Sequence, residues 1–533
     1  MTHPILNDSF KSSKGWPILL LILISFIIHS QVLHFTYTNF DDNKIIRDKF
    51  AFVGDIKNAH SAILRDAFFN AHGSFYRPVQ NLSFMLDAQI SRQKLWMFHL
   101  SNLLIHILAC IALYFFLQML HLKKITAFYM SVLFAVHPLF ASDIGWVPSR
   151  GDLLIGLECI LLFMSLHQYF STTKIKWFFI HSGIFFITVF TKETGILLPI
   201  LLLYYYFFLL QSAPVFAAKK EILKKSIPFL ISWCISILFF LCIRKIITAG
   251  INTADTVGFI PFLKNIYSIP SVLCKFFLPA NLSTLPLFDP TSIIGGVILF
   301  ILIVYRICKY QPAKRKIPLF GLTWFLLFII PPGFYRLRNT DVFFNYLEHR
   351  SYLPIIGIII ILGFLLNDYI ETGFIKKYFI YVYTPVVLLL GILSYIHCND
   401  YRNTINFASA AIKQNNPSAF IAKAGYLLSL GDTTNVIGDC RKAIILMNGR
   451  FTPALCNNLG QAYCKLNEPD SAFKYFDKAI ELDKNFAYGY YQRGIAKLKF
   501  KDTSAACADW EKASVLGYTD TTGMCIKYCS NLR

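Results

Sequence analysis

Runs of about 17 to 25 apolar residues, long enough for a helix to cross the hydrocarbon core of a bilayer, recur from Trp16 to about Ile396 and then stop. Lipid offers no hydrogen bonds to a backbone, so each run must close its own, and a helix does this within one segment. The chain is therefore expected to be all-α. A polytopic helical membrane domain should occupy residues 1–396, followed by a linker at 397–415 and a tail of ordinary composition at 416–533. Hydrophobic residues make up 55% of the whole, more than soluble domains carry. A formal charge of +21 would suggest nucleic acid in a soluble chain, but here Lys and Arg sit in short loops between apolar runs. They read as topology signals and contacts with anionic membrane lipid, and no nucleic-acid partner is expected.

The run 16–33 follows Lys11 and Lys14 and lacks a small-residue cleavage site, so it is taken as an uncleaved first span. Further runs lie at 97–120, 125–142, 153–170, 177–190, 195–211, 227–247, 292–308, 317–331, 352–366 and 378–396. Lys123 with Lys124, Lys174 with Lys176, and Lys219, Lys220, Lys224 and Lys225 fall on one side of these runs. The loop at about 34–96 falls on the other side, outside the cytoplasm. Residues 262–278 contain Pro270 and Lys275 and are expected to lie in the interface or re-enter, which returns 309–316 and Lys376-Lys377 to the cytoplasmic side. About eleven spans result, as in a multi-pass protein of a bacterial inner membrane, with the first loop and the tail extracytoplasmic. Arg244 and Lys245, at the outer end of a span, run against this arrangement.

Polar residues gather where the lipid-facing pattern breaks. Asp41 and Asp42 follow the first span, and adjacent side chains diverge, so one can meet a reacting group while the other holds an amide or a cation. The ordinary alternative is a turn or a helix cap. His99, Asn102 and His106 are spaced three and four apart and share a helix face. Tyr76-Arg77, His137, Arg150 with Asp152, Lys192-Glu193 and Glu348-His349-Arg350 lie at ends of other runs. Each taken singly reads as an interfacial anchor or a polar contact between helices. Together they suggest a cavity lined by Tyr76, His99, Asn102, His106, His137, Asp152, Glu193 and Glu348. Arg77, Arg150, Lys192 and Arg350 would supply its cations, arginine being suited to grip two phosphate oxygens. Glu158 is a further acid inside a run, without an assigned role.

The series Asn39-Phe40-Asp41-Asp42, Tyr76-Arg77-Pro78, Phe98-His99-Leu100-Ser101-Asn102 with His106, Leu133 to Pro138, Ser149-Arg150-Gly151-Asp152, Lys192-Glu193 and Glu348 to Pro354 resembles the transmembrane and tetratricopeptide-repeat O-mannosyltransferases. These belong to the GT-C glycosyltransferases. The resemblance implies an enzyme moving a hexose such as mannose from a polyprenyl-phosphate donor to Ser or Thr hydroxyls of exported proteins. It places Asp41 and Asp42 as the acidic pair acting on the acceptor, with Asp41 as the base. Asp143 stands where the resemblance leads one to expect Glu, and His349 separates Glu348 from Arg350. No cofactor beyond the lipid-linked sugar is assigned, no metal ligands are read, and a divalent ion is left open. The alternative is a non-catalytic, membrane-anchored scaffold for envelope proteins.

In the tail, Leu459, Gly460, Tyr463, Ala472, Phe476 and Ala479 occupy the signature positions of a tetratricopeptide repeat, and Gly494, Ala506, Trp510 and Ala513 recur 34 residues on. A degenerate earlier copy holds Gly431, Cys440 and Ala443. An α-solenoid of about three helix pairs with a C-terminal cap follows, able to bind peptides or partner proteins. The thirteen cysteines show no CxxC pair and no zinc-like spacing. Outside the cytoplasm Cys507 could bridge Cys525 or Cys529, the alternative being that these are small buried hydrophobes.

Overall fold

The computed structural model describes residues 15–71, 73, 75–209, 219–248, 258–334, 346–367, 373–516, 518 and 521–529. Lys11, Lys14 and the end of the run 195–211 lie outside the described residues, as do the side chains of Lys219, Lys220, Lys224, Lys376 and Lys377. The described chain is all-helical, without a strand. It forms two compact units, one ending at Asn403 and one beginning at Thr404.

The first unit carries the long apolar helices that point to a membrane protein. Eight helices among the described residues are long and apolar enough to cross a bilayer, nine if a bent pair counts as one span, and two shorter apolar helices accompany them. The elements used below are α1 (Trp16–His29), α2 (Pro78–Ser91), α3 (Trp96–Met119), α4 (Lys124–Val136), α5 (Arg150–Thr172), α6 (Lys176–Thr191), α7 (Leu198–Tyr204), α8 (Lys219–Ile247), α9 (Ser268–Phe277), α10 (Pro290–Lys309), α11 (Lys316–Ile329), α12 (Tyr352–Leu366) and α13 (Gly373–Cys398).

Breaks fall where the chain cannot continue a helix. Pro138 forces His137 into extended conformation and bends the α4 segment by 51°. Lys192 is likewise extended, at φ −157° and ψ 141°, and ends α6. Residues 262–278 fall in a short helix, Phe259–Asn265, and in the ten-residue α9, each far short of a bilayer's thickness. Helices α3, α5 and α12 form much of the buried core. Against α12, α11 approaches so closely that a Cβ on Gly357 would lie 2.3 Å from the Gly321 carbonyl oxygen, so both positions need glycine. Ile27, Leu238 and Ile294 are more than half exposed, in keeping with a lipid-facing surface.

The second unit is a row of helix pairs. A leading helix, α14 (Thr404–Ile412), precedes α15 (Pro417–Leu430) with α16 (Thr433–Leu446), α17 (Pro453–Lys465) with α18 (Pro469–Leu482), and α19 (Ala487–Lys499) with α20 (Thr503–Val515), before α21 (Thr521–Cys529). Residues 397–415, read from the sequence as a linker, are thus mostly helical: the end of α13, a 3-10 turn at Asn399–Tyr401, and α14. Ala408 and Ala411 are buried, an apolar face that the short 404–412 pattern disguised.

The second and third pairs each close through one glycine and one aromatic ring. A Cβ on Gly460 would meet Phe476 at 2.8 Å, and 34 residues later a Cβ on Gly494 would meet Trp510 at 2.5 Å. Gly431 ends α15 in the left-handed region at φ 84°. Cys507 on α20 is bonded to Cys529 on α21, while Cys525 is free. Cys440 and Cys456 are buried packing residues.

Candidate functional site

The loop after the first span splits the acidic pair into two roles. Asn39 and Asp41 adopt left-handed φ values of 56° and 72°, a conformation that Asn and Asp tolerate better than most residues. Asp42 is turned inward and is 1% exposed. Its Oδ2 accepts the Thr38 backbone N–H at 2.6 Å and the Thr38 hydroxyl at 2.9 Å, and its Oδ1 accepts the Asn43 N–H at 2.8 Å. Burial pushes the Asp42 carboxyl up to about 6, against the pull of these hydrogen bonds. Asp41 instead keeps a side chain 30% exposed, paired at 3.1 Å with the more exposed Lys44. Asp42 therefore builds the turn and Asp41 is displayed by it.

A second cluster forms where α2, α5 and α6 begin or end. The Lys192 ammonium meets the Asp152 carboxylate at 2.5 Å. The Arg77 Nε–H donates to Glu193 Oε2 at 3.2 Å, while Glu193 Oε1 accepts the Tyr76 backbone N–H at 3.1 Å. His349 lies in the field of Asp152, Arg350, Lys192 and Arg77. These side chains stay partly open: Arg77 is 19% exposed and Lys192 12%.

One aromatic residue joins the loop to this cluster. The Trp146 indole N–H donates to the Phe40 carbonyl at 2.9 Å, and its ring lies 5.1 Å from that of His349. Phe40, beside Asp41, is thus tied to the ring that packs on His349. Nothing in the spacing of Trp146 pointed to this part.

Arg150 does not belong to the donor-binding set read from the sequence. Its side chain is fully buried and spends its donors on protein: Asp87 at 2.5 Å, Asn102 Oδ1 at 2.8 Å, the Phe98 carbonyl at 2.6 Å and the Ser83 hydroxyl at 3.3 Å. With the guanidinium over the Phe84 ring, it braces α2, α3 and α5. Asp87 decides this; as the one carboxylate in α2, on its buried side, it was the signal available in the sequence.

Several residues expected to line a cavity are instead ties between helices. His106 accepts the Tyr352 hydroxyl at 2.9 Å and donates to the Ala135 carbonyl at 3.3 Å. His137 donates to the Phe276 carbonyl at 2.8 Å and accepts the Leu139 N–H. Asn102 joins Arg150 to the Asp143 carbonyl. Tyr76 is sealed between Phe190 and Phe240, and His99 is buried against Phe35. Glu348 sits inside a charged knot with Lys275 at 3.3 Å, the Ser283 N–H at 2.9 Å and His397 at 2.8 Å, and His397 also reaches Asp400 at 2.8 Å. Periodicity finds a polar face, but a histidine facing a neighbouring helix and one facing a cavity have the same spacing.

Residues 453–486, which span α17 and α18, match the tetratricopeptide repeat family. The tail carries a tetratricopeptide repeat. Over 133 residues the chain is 32% identical to the mouse protein O-mannosyl-transferase TMTC1, a match covering 23% of this chain and 14% of that relative's length. The crystal structure of yeast Tom70 aligns over 78% of this chain and 93% of its own at 12% identity, with a TM-score of 0.21 that carries no weight for the fold.

Proposed function

We propose that this chain is a membrane glycosyltransferase that moves a hexose, mannose by analogy with the mouse relative, from a polyprenyl phosphate to the Ser or Thr hydroxyl of an exported protein. The observation that carries the reading is the tether from Phe40, the neighbour of the displayed Asp41, through Trp146 to His349, which lies in the field of Arg77, Lys192 and Arg350. A hydroxyl is a poor nucleophile at neutral pH, and attack on the anomeric carbon is helped when a carboxylate takes its proton as the new bond forms. Asp41 fills that role, with Asp42 holding the turn. As the anomeric carbon–oxygen bond breaks, the electron pair leaves on the phosphate, whose charge the neighbouring cations offset. One base suffices, unlike a glycosidase with its two working carboxylates.

In this reading the first loop and the repeat tail face away from the cytoplasm, and the tail presents acceptor proteins. A second reading, a non-catalytic scaffold anchored by its spans, draws on Arg77 and Lys192 each being already neutralised by a carboxylate. Intact-mass analysis of exported proteins with and without the gene separates the two. Loss of hexose units, restored by wild type but not by an Asp41→Ala/Asp42→Ala double variant, supports the enzyme; unchanged masses support the scaffold.

A further inference from the structure

A cavity of about 430 Å³ opens where the first and last spans end, lined by Gln31, His34, Phe35, Tyr395, Asn399 and Arg402. Its walls are fixed by three cross-links: the Gln31 side-chain amide donates to the Tyr395 carbonyl at 2.7 Å, the Thr36 N–H to the Arg402 carbonyl at 2.9 Å, and His29 meets the Ser394 hydroxyl at 3.0 Å. Among the described residues, the Arg402 guanidinium and the His34 imidazole take up no hydrogen bond or ion pair with protein, although both line this one space. No carboxylate lines it; the nearby Asp400 is engaged with His397.

The faces below the cavity are apolar. On α1, Ile27 lies one turn before Gln31, and on α13 Leu388 and Ile392 lie on the face that carries Tyr395 and Asn399, by the three- and four-residue spacing of a helix. Ile27, Leu388 and Ile392 are 68%, 61% and 58% exposed. Unused cationic and N–H donors at the span ends, above two open apolar stripes, match an amphiphile with an anionic head. A free anion would have no use for the stripes. We infer that this cavity binds the phosphate of an anionic phospholipid headgroup, with the acyl chains lying along α1 and α13. Its lining shares no residue with the Arg77, Lys192 and Arg350 group. It also bears on the loop: Thr36 is bonded to Arg402, and two residues on, Thr38 is held by Asp42.

The test is native mass spectrometry of the full-length protein released from nanodiscs of phosphatidylcholine containing phosphatidylglycerol. One phosphatidylglycerol should stay bound, and Arg402→Gln with His34→Gln should weaken its retention about tenfold or more, an arginine–phosphate contact being charge-assisted. Arg402→Lys should recover part of the loss, and Lys314→Gln, at an exposed basic loop, should change nothing. The double variant must stay monodisperse by size exclusion; if it does not, loss of retention in Arg402→Gln alone, with partial recovery in Arg402→Lys, serves as the criterion. Equal retention in the variants, equal retention of phosphatidylcholine, displacement by millimolar inorganic phosphate, or preferential exchange for polyprenyl phosphate would each overturn the assignment.

Discussion

The indole N–H of Trp146 donates to the backbone carbonyl of Phe40 at 2.9 Å, although 106 positions separate the two residues. This bond fixes the loop that displays Asp41 to the helical body that carries Asp152 and Lys192. Trp146→Phe removes the donor while keeping an aromatic ring. A hydrogen bond of this kind contributes about 1 kcal/mol net, so kcat for sugar transfer should fall several-fold with the donor KM little changed. Steady-state kinetics on purified protein check this, and an equal rise in KM would place Trp146 in donor binding instead.

Arg150 and Arg77 look alike in the sequence and should behave differently. Arg150 is sealed against Asp87, so Arg150→Ala leaves a buried carboxylate unpaired, at a cost of about 3–5 kcal/mol. A marked fall in thermal stability in detergent is expected. Arg77→Lys, at a partly open pair with Glu193, should leave stability nearly unchanged and raise the apparent donor KM.

Asp42 predicts a pH dependence with a defined sign. Its carboxyl is at about 6 in the folded loop against an ordinary 3.8, because burial disfavours the charge. Between these values the folded protein keeps a proton that the unfolded chain has lost, so its contribution to stability falls as pH rises from about 4 to 6 and is level above that. The span of the effect is on the order of 3 kcal/mol. Thermal midpoints across pH 4 to 7 should show this slope in wild type and lose it in Asp42→Asn. That variant should also be less stable at low pH, since an amide N–H₂ would face either the Thr38 donors or the Asn43 N–H.

In the tail, Gly494→Ala places a methyl 2.5 Å from the Trp510 indole nitrogen. Overpacking of this kind costs about 1–3 kcal/mol. Limited proteolysis of the full-length protein should cut the tail faster in the variant, and Gly438→Ala, with nothing near its Cβ, should not change the rate.

The legible parts of this chain were those where physics leaves one solution. Lipid forces an apolar run such as 97–120 into a helix, realised as α3, and close helix pairing demands a small residue at Gly460 and again at Gly494. Less legible was the choice of partner. Arg150 and Arg77 both sit at span ends beside a conspicuous motif; what sorts them is Asp87 for one and Glu193 for the other, contacts made across the fold that local spacing cannot show. The same holds for His106 and His137, whose ring nitrogens bond neighbouring helices. Trp146 belongs to no local pattern; its partner Phe40 is reached only across the fold. In residues 397–415 the polar stretch Asn399 to Asn403 hid the short apolar face of α14.

The most direct measurement is transfer of mannose from a short-chain polyprenyl phosphate donor to a Ser/Thr peptide by purified Asp41→Asn protein, compared with wild type and Asp42→Asn. General-base catalysis is worth about 10²- to 10⁴-fold. Asp41→Asn should therefore lose kcat by that factor while binding donor with wild-type affinity, and Asp42→Asn should lose activity together with loop stability. Near-wild-type transfer by both variants would make the pair an ordinary turn and remove the catalytic assignment.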